Sequence, residues 1–363
     1  MSDELASDRP APGLLGWAER GWLPDALLRQ GIRGMCRQRL QEELAGGLDA
    51  QARRFQQRIE LLRSSPVAIH TEAANAQHYE LPPAFFELCL GKQLKYSGCH
   101  YPLGNESLDV AEEAMLALYG ERAELADGQD ILELGCGWGS LTLWMAERYP
   151  QSRITAVSNS RQQREHIEAQ CRQRNLGNVR VRTCDVNRLE LEPAAFDRCI
   201  SIEMFEHMRN YDTLMHRIGG WLRPGGKLFV HIFAHRTAMY PFETQGGDNW
   251  MGRHFFTGGL MPASDTLLWF QRDLTIEQRW HVDGRHYQRT ANHWLANQDA
   301  RKPEVMAVLE QAYGKQAAAL WFQRWRMFWM SCAELFGYDR GQQWLVAHYR
   351  FSRPAGLSRG DRE

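Results

Sequence analysis

The stretch Asp130-Ile131-Leu132-Glu133-Leu134-Gly135-Cys136-Gly137-Trp138-Gly139-Ser140 constrains this chain more than any other. An apolar run with one acid inside it ends in three glycines at alternate positions, and a helical pattern of Leu141, Leu143, Trp144 and Met145 follows at once. The expectation is strand, tight turn, helix. Such a turn needs glycine because the chain must reverse sharply, admit a ligand to bare backbone and let the helix pack on the strand. The helix N-terminus then offers N–H groups to something anionic. A dinucleotide fingerprint puts its third glycine three residues after the second. The spacing Gly135-x-Gly137-x-Gly139 therefore disfavours NAD.

Beyond this turn the pattern alternates. Strands are expected at Arg153 to Val157, Val179 to Cys184, Arg198 to Ile202 and Lys227 to Phe233, with helices at Arg161 to Arg174 and about Tyr211 to Leu222. Alternation of this kind predicts a mostly parallel sheet with helices on both faces. Thr275 to Val282 and Trp344 to Phe351 read as two further strands, giving seven, and Ala317 to Leu335 as a late helix.

Ahead of the sheet, Leu14 to Arg63 carries apolar residues at helical spacing among many Arg, Gln and Glu, which predicts two or three amphipathic helices. The expected organisation is a helical N-terminal extension with a mouth loop over residues 1–120. A sheet domain over 121–354 follows, with insertions at about 235–273 and 288–338, and then a tail over 355–363. At 363 residues the chain can bury a large core. A net charge of −1 and a pI near 6.9 give no basic footprint for nucleic acid. Eight scattered cysteines without a C-x-x-C pair, no signal peptide and no long apolar run predict a reduced, cytoplasmic protein with no metal site and no membrane insertion.

In a doubly wound sheet the ligand lies at the carboxyl ends of the strands. The second strand ends in Ser158-Asn159-Ser160 and lacks an acid, so Asn159 and Gln163 are the candidate neutral partners for ribose hydroxyls. Asp185 ends the third and reads equally as an acceptor for an adenine amino group or as a helix cap. The fourth runs into Glu203-Met204-Phe205-Glu206-His207-Met208. If a helical turn begins there, Glu203, Glu206 and His207 share one face. Two carboxylates beside an imidazole perturb one another and can share a proton. The alternative is a surface acidic turn with a capping histidine. Trp321, Phe322, Trp325, Phe328 and Trp329 fall at helical spacing, which means either core packing or an aromatic pocket.

The acid-and-glycine pattern resembles motif I of Rossmann-like S-adenosylmethionine (SAM) methyltransferases, whose loop holds the methionine part of the cofactor. Further motifs narrow this. His78-Tyr79-Glu80-Leu81-Pro82, Leu94-Lys95-Tyr96-Ser97, Val157-Ser158-Asn159-Ser160, Met204-Phe205-Glu206-His207 and Phe336-Gly337-Tyr338 resemble the cyclopropane-fatty-acid synthase-like methyltransferases, and within them the coclaurine N-methyltransferase type. The resemblance runs from about Leu14 to Pro354. It implies a Rossmann-like SAM-dependent methyltransferase fold, SAM as methyl donor with S-adenosylhomocysteine as product, and a small-molecule amine as acceptor. It also implies a homodimer and, for lipid-acting members, peripheral contact with a membrane.

By the same resemblance Gly135, Gly137, Tyr96 and Ser97 hold the methionine end, while Glu206 and His207 position and deprotonate the amine and Glu203 is its counter-charge. Phe322, Trp325, Phe328 and Trp329 line the substrate pocket. Lipid cyclopropane synthases use positions matching Glu206, His231 and Tyr287 to hold a bicarbonate ion, with a cysteine where this chain has Gly98 and a glycine where it has Glu203. The Glu-x-x-Glu-His set belongs to the amine branch, and transfer to an unsaturated acyl chain is the rival reaction. A SAM-binding regulator without turnover is a further rival.

Overall fold

The computed structural model describes residues 9–69, 81–242 and 249–355. His78, Tyr79 and Glu80 lie outside the described residues, as does the tail beyond 355. Three helices come first, α1 (Gly13–Glu19), α2 (Asp25–Glu43) and α3 (Gly47–Ser64), followed by α4 (Pro83–Cys89) and α5 (Leu108–Arg122). Ser107 caps α5, its hydroxyl accepting from the Val110 N–H. A cap of this kind is worth about 1 kcal/mol and sets where the helix starts.

The alternating segment then runs β1 (Asp130–Leu134), α6 (Ser140–Arg148), β2 (Arg153–Ser158), α7 (Arg161–Arg174), β3 (Val179–Thr183), β4 (Phe196–Ile202), α8 (Tyr211–Trp221) and β5 (Leu222–His235). The insertion holds a small ribbon of β6 (Tyr240–Pro241) and β7 (Leu260–Met261) around α9 (Trp250–His254). The chain closes with β8 (Thr275–Val282), α10 (Gly284–Ala300), α11 (Lys302–Tyr313), α12 (Lys315–Gly337) and β9 (Trp344–Ser352).

The main sheet has the order β3-β2-β1-β4-β5-β9-β8. β1 to β5 are mutually parallel, and β9 runs antiparallel between β5 and β8. The seven expected strands are present in the expected fold class, with boundaries shifted by a few residues. β5 begins earlier than expected because Leu222 pairs with Phe196 across an irregularity, so Pro224-Gly225-Gly226 sits within the strand's span.

The first two N-terminal helices are fastened to α12, whereas α3 packs against α8 beside the sheet. Arg29 and Arg33 bracket Glu334 at 2.7 and 2.5 Å. Glu19 is fully buried and meets Arg324 at 3.0 Å and the Trp250 indole N–H at 2.9 Å. Removing one partner of such a buried pair costs about 3–5 kcal/mol, because the other charge is left without compensation. The expected appendage is thus tied into the roof that α12 and the insertion form over the sheet. Among the described residues no helix is long and apolar enough to cross a membrane.

Candidate active site

β1 and β4 are neighbours, and the connections leaving them pass to different sides of the sheet. Their carboxyl ends therefore open a crevice, and the two segments of greatest chemical interest emerge there side by side. After β1, Gly135 and Gly137 have φ of +80° and +52°. A Cβ at Gly135 would lie 2.7 Å from Met204 Cγ, so only glycine lets the two loops meet. Above Gly137 a Cβ would meet nothing within 4 Å: this is the open floor of a cradle.

Three cavities meet at this crevice. The first lies between the glycine loop and the end of β2 and is lined by Gly135, Gly137, Ser158, Asn159 and Gln163. The second lies behind the loop, under Tyr96, Ser97 and Glu133. The third is aromatic, with Tyr96, Phe233, Phe256, Tyr287, Trp294 and Phe328 in its wall. Glu203 lines all three, and His207 lines the first and third. Gln163 is buried; its Oε1 accepts from the Ser158 hydroxyl at 2.6 Å, while its Nε2 has no partner among the described residues. An unsatisfied buried donor beside a cradle calls for a polar ligand to complete it.

Glu203 is the hub. It follows β4 with φ of +46°, a left-handed conformation that costs a non-glycine residue about 1–3 kcal/mol and clusters at functional positions. Its Oε1 accepts from the Gly98 N–H at 2.9 Å and faces His231 Nε2 at 3.0 Å, and its Oε2 accepts from the Tyr287 hydroxyl at 2.7 Å. Burial raises its pKa, against the pull of the Lys95 charge and of these donors. Lys95 is itself buried, giving its ammonium hydrogens to Ser97 Oγ and the Gly98 carbonyl, both at 2.6 Å. His207 stacks near Phe256 with ring centres 4.6 Å apart, and burial pulls its pKa down to about 4, so its imidazole is neutral at pH 7.

The expected shared face of Glu203, Glu206 and His207 does not form. The turn is a 3₁₀ turn over Phe205–His207, and Glu203 lies outside it in the left-handed region. Glu206 consequently points into the core. It is fully buried, lines none of the three cavities, and its Oε1 accepts from the Phe233 N–H at 2.7 Å. Burial first, and then Glu203, push its pKa well up.

Other sequence-chosen residues divide in the same way. Tyr96, Ser97, Gly135, Gly137, Asn159 and Gln163 all line the first or second cavity. Asp185 does not, although Cys184 and Val186 on either side do; its Oδ1 caps the next turn at the Asn187 N–H. Of the aromatic stripe only Phe328 reaches the third cavity. Phe322, Trp325 and Trp329 are core, with Trp325 packed on Phe85 at 4.7 Å and Trp329 tied by its indole N–H to Gln298. A helix that packs on several sides buries most of an aromatic stripe, so spacing alone could not separate wall from core. Sequence reasoning missed Lys95 and Glu133 as site residues, although both sit inside motifs it quoted. It missed Phe242 and Phe256 because the insertion carries no periodic signal, and Phe233 because a residue at the end of an expected strand reads as sheet core.

Residues 68–344 match the family described as mycolic acid cyclopropane synthetase. The chain belongs to this family. Among curated relatives, (S)-coclaurine N-methyltransferase of Thalictrum flavum subsp. glaucum is 37% identical over 346 residues, which cover 94% of this chain and 95% of that one. The cyclopropane-fatty-acyl-phospholipid synthase of Escherichia coli strain K12 is 27% identical over 231 residues, 63% of this chain and 57% of that one. A crystal structure of coclaurine N-methyltransferase bound to N-methylheliamine and SAH superposes with a TM-score of 0.90 at 36% identity, covering 94% of this chain and 99% of that one.

Two of the positions that the resemblance linked to a bicarbonate ion are gathered here around one carboxylate. His231 and Tyr287 converge on the Glu203 carboxylate itself. A Cβ at Gly98 would stand 3.1 Å from the Tyr287 ring, so a larger residue there would need that ring to give by a few tenths of an ångström.

Proposed function

We propose that this protein is a SAM-dependent methyltransferase that methylates the nitrogen of a small-molecule amine carrying an aromatic ring. The observation that carries the reading is Glu203: a buried carboxylate at the junction of a glycine-floored polar cradle and an aromatic cavity. Membership of the family, the SAH in the solved relative and the unsatisfied Gln163 amide all fit SAM in that cradle. Gly135, Gly137, Tyr96 and Ser97 would hold its methionine end, and Asn159 and Gln163 its ribose; it supplies an electrophilic methyl carbon.

The chain's own residues do the rest. Phe256, Phe328 and Tyr287 offer aromatic faces that favour a flat ring and a cationic nitrogen. An amine reacts only through its lone pair, so an ammonium must first lose a proton. Glu203, held as a hydrogen-bond acceptor but with a raised pKa, is placed to anchor the ammonium and take that proton. His207, neutral at pH 7, offers a ring nitrogen as a second acceptor. Glu206 supports the pair from behind by fixing the β5 backbone at Phe233. Alignment of nitrogen and methyl carbon supplies most of the acceleration.

An acyl chain would leave Glu203 without a cationic partner, and Glu203 fills the space between His231 and Tyr287 that a bicarbonate would need. The test is incubation with labelled SAM against separate panels of aromatic amines and unsaturated phospholipids. Label on amine nitrogen supports the reading; label confined to lipid, or none from a protein that binds SAH, overturns it.

A further inference from the structure

Behind Glu203 lies a buried hydrogen-bond chain that the proposed reaction does not use. His231 and His348 sit directly opposite each other on β5 and β9. His231 Nε2 faces Glu203 Oε1 at 3.0 Å, His231 Nδ1 faces His348 Nε2 at 2.9 Å, and His348 Nδ1 faces an Arg122 guanidinium nitrogen at 2.7 Å. Both histidines are completely buried, and Arg122, in the last turn of α5, is half-buried over the Trp280 ring.

The direction of this chain is fixed by its outer end. A guanidinium donates and never accepts. His348 Nδ1 must therefore be an acceptor, which puts the single proton of a neutral ring on Nε2. That N–H points at His231 Nδ1, which must accept in turn, so His231 carries its proton on Nε2 and gives it to Glu203. We propose that Arg122 and His348 are positioning residues, locking the His231 tautomer so that Glu203 always faces a donor and stays an acceptor for the substrate's proton. The inference rests on the role of Glu203 proposed above.

The other groups facing the chain agree with this direction. The Tyr119 hydroxyl lies 2.8 Å from the same His231 Nδ1 and, as a donor there, shares that nitrogen's one lone pair with the His348 N–H, so it too requires Nδ1 to be the acceptor. Burial above all disfavours an imidazolium at His348, and His231, Arg122, Lys95 (over the Tyr119 ring) and His100 act in the same sense. Lys95 and Arg122 do the same at His231. Arg122 can neither take up nor release a proton, so the chain is closed as an exit route. The proton taken by Glu203 must leave through the cavities.

Nitrogen-15 NMR of histidine-labelled protein reads the tautomers directly. Both His231 and His348 are expected as neutral Nε2–H forms in the native chain, and an Nδ1–H form of His231 overturns the proposal whatever any variant does. In R122M His348 is freed to adopt either tautomer. The expected result is a roughly tenfold fall in kcat, a shifted acid limb of the kcat/KM profile and little change in SAH affinity, with partial recovery in R122K. A pH profile and His231 signals in R122M that match the native enzyme overturn it. Should no amine serve as substrate, the tautomer measurement still stands, so failure of the proposed function and failure of this inference are told apart.

Discussion

The two halves of the crevice are built on different principles. The cofactor half is made of backbone: Gly135 and Gly137 carry positive φ, the cradle floor is bare, and its side chains come from the loop and from Asn159 and Gln163 just after β2. The acceptor half is made of side chains that meet from distant parts of the chain. Gly98, Glu203, His231 and Tyr287 share one set of hydrogen bonds, and the aromatic wall is drawn from the insertion and from α10 and α12. A half made of backbone tolerates little change at its glycines but places few demands on side-chain chemistry. A half made of converging side chains fails when one acceptor becomes a donor.

Exchanging one group in each half should break them separately. In E203Q an amide faces the Gly98 N–H, the His231 ring and the Tyr287 hydroxyl, so one donor meets donors and the proton acceptor is gone. The expected fall in kcat is roughly 10²–10³-fold, in line with general-base loss, with SAH affinity by calorimetry kept within a few-fold. G137A should do the reverse. Its Cβ meets no protein atom within 4 Å but projects into the cradle. The left-handed φ adds roughly 1–2 kcal/mol of destabilisation, and SAH affinity should fall at least tenfold. Equal loss of SAH binding in both variants would mean that the two halves are one site with no division of labour.

The acceptor half also separates wall from core along α12. Trp325 is fully buried and Phe328 lies at the cavity, so W325A should cost about 3–5 kcal/mol by chemical denaturation. F328A should instead raise the amine KM several-fold with a smaller loss of stability. A larger stability loss in F328A than in W325A would reverse this assignment.

The same division explains what the sequence could disclose. The strands along the chain and the glycine turn were legible because each depends on a short stretch whose period and glycines dictate its conformation. Asp185 was ambiguous, since an acid at a strand end caps a turn as readily as it binds a ligand, and the geometry shows the cap. Glu206 was placed on the reacting face because an i, i+3, i+4 rule assumes an α-helical turn. The left-handed Glu203 and a 3₁₀ turn sent it inward instead. Nothing local in the sequence reports that Gly98, His231 and Tyr287 meet at one carboxylate. That convergence comes from β5, α10 and the mouth loop packing together.

Glu133 gives the smallest and most diagnostic test, since it is a carboxylate buried beneath the glycine loop, away from the acceptor side. Its side chain is buried, accepts from the Thr142 hydroxyl at 2.5 Å, and has its pKa pushed up to about 8 by desolvation. The folded chain thus keeps a proton there between about pH 4.5 and 8 that the unfolded chain has lost, and stability must fall as pH rises through that window. Buried histidines such as His207, His235 and His254, held near 4, act in the opposite sense, but only below the ordinary histidine value of 6.5. Between pH 6.5 and 8 the raised carboxyls act together: Glu133, Glu112, pushed up to about 7, and the raised Glu203 and Glu206 all contribute a loss of stability in the same direction. The ligand-free protein should therefore melt a few degrees lower at pH 8 than at pH 6.5, and E133Q should make that difference measurably smaller. An unchanged slope in E133Q would place the titrating proton elsewhere, and would leave the acceptor half, with its raised Glu203 and Glu206, as the source of the alkaline loss.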